Sequence, residues 1–255
     1  VATFLQGSDA AAPSPTKFNG QLSALRKFFD YLEREDIIVK NPAKHIHHLE
    51  VVEHPKEPLT LEEMLRLLAA VETYAPKKLR RRDLAIMQVF FHCALRVTEV
   101  VSINVEQVDE GNRLIRDVVT KGDRRLSVAM NDVVTEAIER YLRERDQFLP
   151  APDEAALFLS QHGDRLSVRT IEDMVGHYAA KARISRHTTP HLLRHSSATE
   201  LIAFTDIRTV QEHLHHKSVI TTQRYTHVKE SKERAAVDEL GRRFRRAAKG
   251  RLEAA

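Results

Sequence analysis

Glycine is scarce in this chain. The 255 residues include 8 glycines, about half the usual share, and no two are spaced to form the GxGxxG or GxxxxGKS/T loops that cradle nucleotide phosphates. Cysteine is nearly absent. Cys93 stands alone, which excludes an internal disulfide and any multi-cysteine zinc site. No apolar run approaches the roughly 18 residues of a membrane span, and the N-terminus lacks the charged-then-apolar order of a secretion signal. There is no internal repeat and no low-complexity segment beyond Ala10–Ala12. These absences leave a soluble, helix-leaning protein, expected in the cytoplasm.

Charge is present in both signs. Lys and Arg number 40 against 36 Asp and Glu, a net of +4. The distribution says more than the sum: residues 77–82 read KKLRRR, and residues 241–251 read GRRFRRAAKGR without one acid. Such blocks are either solvated helix faces or the footprint of a nucleic-acid partner. The second reading nominates Lys77, Lys78, Arg80, Arg81, Arg82 and, further on, Arg124 as phosphate contacts.

Hydrophobic periodicity divides the chain. Ser14-Pro15-Thr16 reads as a helix start, with Leu22, Leu25, Phe28, Phe29 and Leu32 following at helical spacing, and the pattern is expected to stop near Asn41-Pro42. One such helix cannot bury its own face, so residues 1–50 either dock elsewhere or belong to a larger helical domain; the missing initiator Met points to a truncated or processed start. Residues 51–59, with two prolines, read as a linker. A capping box at Thr60–Glu63 opens a helix with Leu61, Met64, Leu65, Leu68 and Val71 as its buried stripe. A second, largely apolar helix is expected from about Arg82 to Ala94. Residues 113–120 and 125–130 then read as a β-hairpin with a glycine turn. Helices are expected again at about 132–148, 168–183, 190–203, 206–214 and 218–226, with a last one after Glu230. The fold class is therefore mainly α with a small antiparallel β-sheet.

Four segments carry polar residues where a core would not ask for them: Arg96 and Glu99 after an apolar helix, Lys121 at the hairpin tip, His191 and Arg194 three apart on a helix that starts at Pro190, and His215-His216 followed by Tyr225. Singly, each has a plain structural reading. His191 and His195 also have the spacing of a zinc pair, but Leu192 stands where a zinc hydrolase needs its glutamate, so no metal site is expected. The His45–His48 cluster reads as surface decoration.

As a set, ALRVTEV, VTKGDRR, HLLRHSSAT, LHHKS and TTQRYTHV resemble, in order, the motifs of the tyrosine recombinase (phage integrase) family. The resemblance runs from about Leu59 to Val228, and residues 23–42 are similar to the last helices of that family's core-binding domain. It implies a partial all-α core-binding domain (1–50), the linker, and a catalytic domain (60–255) ending in a helical tail from about residue 230. It implies that Tyr225 attacks a DNA phosphodiester to give a 3′-phosphotyrosine, that Arg96 and Arg194 bind the non-bridging oxygens, that His191 accepts the tyrosine proton, that Lys121 protonates the leaving 5′ oxygen and that His216 adds a hydrogen bond. Glu99 and His195 would orient Arg96 and the His191 helix. Neither ATP nor metal is required by such chemistry. The implied partners are double-stranded DNA with paired sites, four protomers exchanging tails in trans (a stripe of Val237, Leu240 and Phe244 would mediate this, or else dock on its own chain), and an accessory directionality factor. Three departures bear on loop geometry: Ala94 and His215 replace customary glycines, and the turn at Phe204-Thr205-Asp206 is about one residue short. A type IB topoisomerase, or a DNA-binding regulator without catalysis, are the alternatives.

Overall fold

A computed structural model of the chain describes residues 13–51, 57–120, 123–151, 154–202, 205, 209–210 and 226–253, with side chains in the last helix described from 234 to 250. The chain divides into two compact units, Val1–Lys56 and Glu57–Ala255. Among the described residues no helix is long and apolar enough to cross a membrane.

In the first unit, helix α1 (Pro15–Arg34) starts where the sequence predicts, with Ser14 as cap and Pro15 in the first turn. It stops well before Asn41. Asp36 takes a left-handed φ of 55°, and the Ile37 and Asp36 amides return to the Leu32 and Glu33 carbonyls at 2.9 and 3.2 Å, a Schellman closure made with Asp in place of glycine. The chain then folds back on α1. Arg26 bolts it there, its guanidinium donating to the Ala43 and Ile46 carbonyls, while Leu22 and Ala43 form a small buried centre.

The second unit is built on helix α3. Helix α2 (Leu61–Tyr74) opens with the predicted capping box, both arms of which are formed between Thr60 and Glu63. Helix α3 runs Lys77–Cys93, starting ahead of the expected Arg82, so the KKLRR run forms its first turns. Its Ile86, Met87, Phe90 and Phe91 are fully buried, and it packs against α2, α5 (Asp132–Leu142), α7 (Pro190–Ile202) and α8 (Thr226–Glu253). A short helix α4 (Val97–Ser102) leads to a three-stranded antiparallel sheet of order β1-β2-β3: Val108–Asp109, Leu114–Thr120 and Arg124–Ala129. The hairpin is as expected; the two-residue β1 adds to it. The expected helix over 132–148 is instead α5 followed by a 3₁₀ turn at Arg145–Phe148. Helix α6 covers Val168–Lys181. The helices expected at 206–214 and 218–226 lie outside the described residues, apart from Thr209–Val210 and Thr226.

One correction concerns a charged residue. Arg82, nominated above as a DNA contact, is 4% exposed. Its Nε donates to Asp83 and its Nη1 to the Leu159 carbonyl, both at 2.8 Å, and Tyr178 completes the network by donating to Asp83 at 2.6 Å. Burial pushes the Asp83 carboxyl up against the pull of Arg82. Arg82 is in helical phase with Ala85, Ile86 and Val89, so it faces the core. The tail stripe takes the second of its two expected courses: Val237, Leu240 and Phe244 are buried on their own chain, Phe244 against Phe91 and the edge of His92. Asn131 donates to the Val237 carbonyl at 3.0 Å, and a Cβ at Gly241 would lie 2.7 Å from the Asn131 amide.

A tight seat at Gly163 closes the 159–165 hairpin. Its φ is +90°, and a Cβ there would meet the Leu149 carbonyl oxygen at 2.7 Å and that of Phe148 at 2.9 Å. Gly163→Ala is therefore expected to destabilise the protein by about 1–3 kcal/mol, read by urea denaturation; a midpoint equal to the parent's would show that the 148–149 turn yields freely.

Candidate active site

The site forms where α3 ends. Ala94 terminates that helix in the left-handed region, φ 47° and ψ 34°, the conformation that a glycine adopts without steric cost and alanine at about 1 kcal/mol. The alanine thus keeps the turn that the customary glycine would make. The reversal puts Arg96 at the N-cap of α4, with Glu99 one turn on.

Glu99 reaches back. Its Oε2 accepts the Arg96 backbone N–H and its Oε1 the Arg96 Nη1, each at 2.7 Å. Glu99 is 2% exposed, while the Arg96 side chain is 37% exposed, so the carboxylate is sealed beneath a guanidinium that faces outward. From the other side Arg194 approaches: its Nη1 lies 3.6 Å from Glu99 Oε2 and donates to the Ala94 carbonyl at 2.5 Å. One carboxylate thus stands between two guanidiniums, and the three groups sum to +1. Burial first, and Arg96 second, pull the Arg194 guanidinium down to about 10 against the opposing influence of Glu99. A base whose folded value lies below its unfolded one costs stability at every pH below about 10 and regains it only above. At neutral pH Arg194 is charged, and that charge is held at a cost.

Helix α7 places Arg194 and the histidines. Thr189 caps it, accepting from Leu192 N at 3.2 Å. Ser197 Oγ bonds the Phe91 carbonyl of α3 at 2.7 Å, and Ser196 Oγ accepts from Leu59 N at 2.8 Å. Leu192, Leu193 and Arg194 face inward, whereas His191 and His195 are exposed. The structure therefore brings Arg96, Glu99 and Arg194 into contact, with His191 on the same helix and open to solvent. His195 is exposed on the same helix. Lys121, His216 and Tyr225 lie outside the described residues; Thr120 and Arg124, the last pair of the hairpin ladder, flank the Lys121 position. Among the described residues, no three His, Cys, Asp or Glu side chains could together hold a metal ion.

The basic run sits at the far end of α3, about 24 Å from Ala94 at 1.5 Å per residue. Lys77 is exposed, Lys78 lies over the Phe148 ring at 5.0 Å, Arg80 donates to the Ala75 carbonyl at 3.3 Å and Arg81 is 3.9 Å from Glu144. Arg124 is exposed on the hairpin.

Comparison with known proteins follows the same outline. The family model described as Phage integrase family matches residues 57–232. The chain is 37% identical over 223 residues to the tyrosine recombinase XerC of Caldanaerobacter subterraneus subsp. tengcongensis, covering 86% of this chain and 61% of that protein. It is 35% identical over 209 residues to the XerC of Alcanivorax borkumensis, covering 81% and 67%. The chain thus spans less than two thirds of the first of these relatives. Among solved structures it is similar to XerA recombinase, with a TM-score of 0.57, 26% identity and coverage of 89% of this chain and 76% of that one. It shares a fold with the Tn1549 transposon integrase solved with circular intermediate DNA, with a TM-score of 0.65, 22% identity and coverage of 85% and 79%.

Removing the carboxylate leaves two guanidiniums facing each other, one of them buried. Glu99→Ala is expected to cost about 3 kcal/mol of stability, measured by urea denaturation at pH 7. A variant as stable as the parent would show that Arg194 is neutralised by something other than Glu99.

Proposed function

This chain belongs to the phage integrase family, and on that footing we propose that it is a site-specific DNA recombinase that cleaves and rejoins strands through a tyrosyl intermediate. The observation that carries the reading is the pair of guanidiniums around one buried carboxylate. That arrangement holds a surplus positive charge at an outward-facing Arg96, next to the helix bearing His191. A phosphodiester offers two non-bridging oxygens and one negative charge, which match this surplus, and guanidiniums match their geometry where ammonium groups do not.

In the reaction, the Tyr225 oxygen attacks phosphorus and the bond from phosphorus to the 5′ oxygen breaks. His191 takes the phenol proton and Lys121 supplies one to the leaving 5′ oxygen, so a phosphotyrosine and a free 5′ hydroxyl result. Arg96 and Arg194, with His216, stabilise the charge that gathers on the non-bridging oxygens of the pentavalent state. Attack by a 5′ hydroxyl from another strand reverses the step and restores the diester. The bond exchanged is conserved throughout, so the chemistry calls for neither ATP nor metal. Glu99 keeps both arginines aligned.

The further parts of the reading follow from it. Residues 1–50 serve as part of a core-binding domain. Paired sites on duplex DNA assemble four protomers in the cytoplasm, where α8 leaves its own chain for a neighbour and an accessory factor sets direction. Lys77, Lys78, Arg80 and Arg81 touch phosphates well away from the cleaved one, and Arg124 touches phosphates beside it.

Genomic fragments from the host, nicked lightly so that the cleaved strand's 5′ end diffuses away, are incubated with the protein and run on a denaturing gel. A covalent adduct is expected, undiminished by EDTA, absent with Tyr225→Phe and reduced about 10²-fold or more with Arg194→Ala. Persistence of the adduct in Tyr225→Phe would refute the assignment of the nucleophile. A parent protein that binds these fragments but forms no adduct would favour a regulator without catalysis.

A further inference from the structure

Helix α4 carries Glu99 and is capped by Arg96, yet it has only six residues, too few to hold itself. Its N-terminal end is fixed by the Arg96–Glu99 contacts already described. Its C-terminal end is fixed by a residue from a distant part of the chain. Arg165, on the hairpin that Gly163 closes, places its Nη1 2.8 Å from the Val101 carbonyl and 3.3 Å from that of Ile103. Its Nη2 donates to Asn104 Oδ1 at 2.7 Å. A cation against the last carbonyls of a helix satisfies acceptors that the helix cannot, and it favours the negative end of the dipole.

The same guanidinium is also joined to the sheet. Asn104 N donates to Gln107 Oε1 at 2.7 Å, and Gln107 Nε2 donates to the Arg116 and Asp117 carbonyls of β2, each at 2.8 Å. Those carbonyls lie at the register shift between Ile115 and Val118, where Asp117 has a φ of 50°. One side chain therefore ties α4 to the strand that leads into the hairpin tip.

We infer that Arg165 is a positioning residue for strand cleavage: it holds α4 so that Arg96 meets the scissile phosphate, without touching the DNA itself. The inference rests on the reading of the site given above. A neutral side chain at 165 would release the C-terminal end of α4 and let Arg96 drift, while the packed core beneath stays in place. Lysine would keep the charge but not the fork, since one ammonium cannot span Val101 and Asn104 with the same planar geometry.

The test uses the full chain and a nicked duplex bearing the sequence recovered in the adduct experiment, with a normal phosphate or a methylphosphonate at the cleaved position. The methylphosphonate lacks the negative charge that Arg96 neutralises. Arg165→Met is expected to bind the duplex within about twofold of the parent and to form adduct about 10- to 100-fold more slowly. That defect, like the Arg96→Ala defect, should shrink on the methylphosphonate. The double variant should be no slower than Arg96→Ala alone, because both changes remove one interaction. Should Arg165→Met fail to fold, Arg165→Lys is read in the same way and is expected to show a smaller defect with the same methylphosphonate response. A defect that persists on the methylphosphonate, or multiplies with that of Arg96→Ala, would overturn the inference. Normal cleavage by Arg165→Met beside a crippled Arg96→Ala would overturn it alone. Full cleavage by Arg96→Ala would overturn the reading of the site, and this inference with it.

Discussion

A single carboxylate organises the catalytic unit. Two arginines brought together at the end of an apolar helix repel each other. Glu99 offsets that repulsion from inside, where its attraction is least screened by water. The arrangement leaves the site one positive charge in surplus. A fully neutral cluster would hold itself together better, and on the proposed reading it would bind a phosphate worse.

The surrounding structure serves to keep that carboxylate and its two partners in register. Helix α3 provides the floor, since its end defines where Ala94 turns and its Phe91 carbonyl receives Ser197 of α7. The linker end is attached to α7 through Leu59 and Ser196. Arg186 pairs with both Glu57 and Glu63, so the residues that follow the linker are secured by charge as well as by hydrogen bonds. Most of these contacts join segments more than a hundred residues apart in sequence, and a site built this way exists only once the core has formed.

The parts of this structure that were legible in the sequence are those decided locally. The capping box at Thr60, the proline start of α7 and the pairing of β2 with β3 each follow from the chemistry of a few adjacent residues. The ends of elements were harder: α1 closes on Asp36, whose left-handed backbone carries no mark in the sequence as plain as glycine would. The two-residue β1 is too short to show a period. Arg82 was hidden by its neighbours, because a run of like charges looks uniform until its helical phase is laid beside that of Ala85, Ile86 and Val89. Of the site, the two arginines and Glu99 were legible as a motif. Their contact, and the role of Arg165, depend on a hairpin distant in sequence that no local pattern announces.

The seating of α8 on its own chain has a consequence for assembly. With Phe244 wedged against Phe91 and His92, and Arg243 3.3 Å from Glu200, the groove on α3 and α7 is already filled by a tethered segment. Any tail arriving from a neighbour competes with a resident whose effective concentration is of millimolar order. Protomers meeting by chance in dilute solution would lose that contest. On the proposed assembly, protomers held side by side on one stretch of duplex raise each other's local concentration to the same range, so an exchange of tails would report adjacency on DNA rather than abundance in the cell.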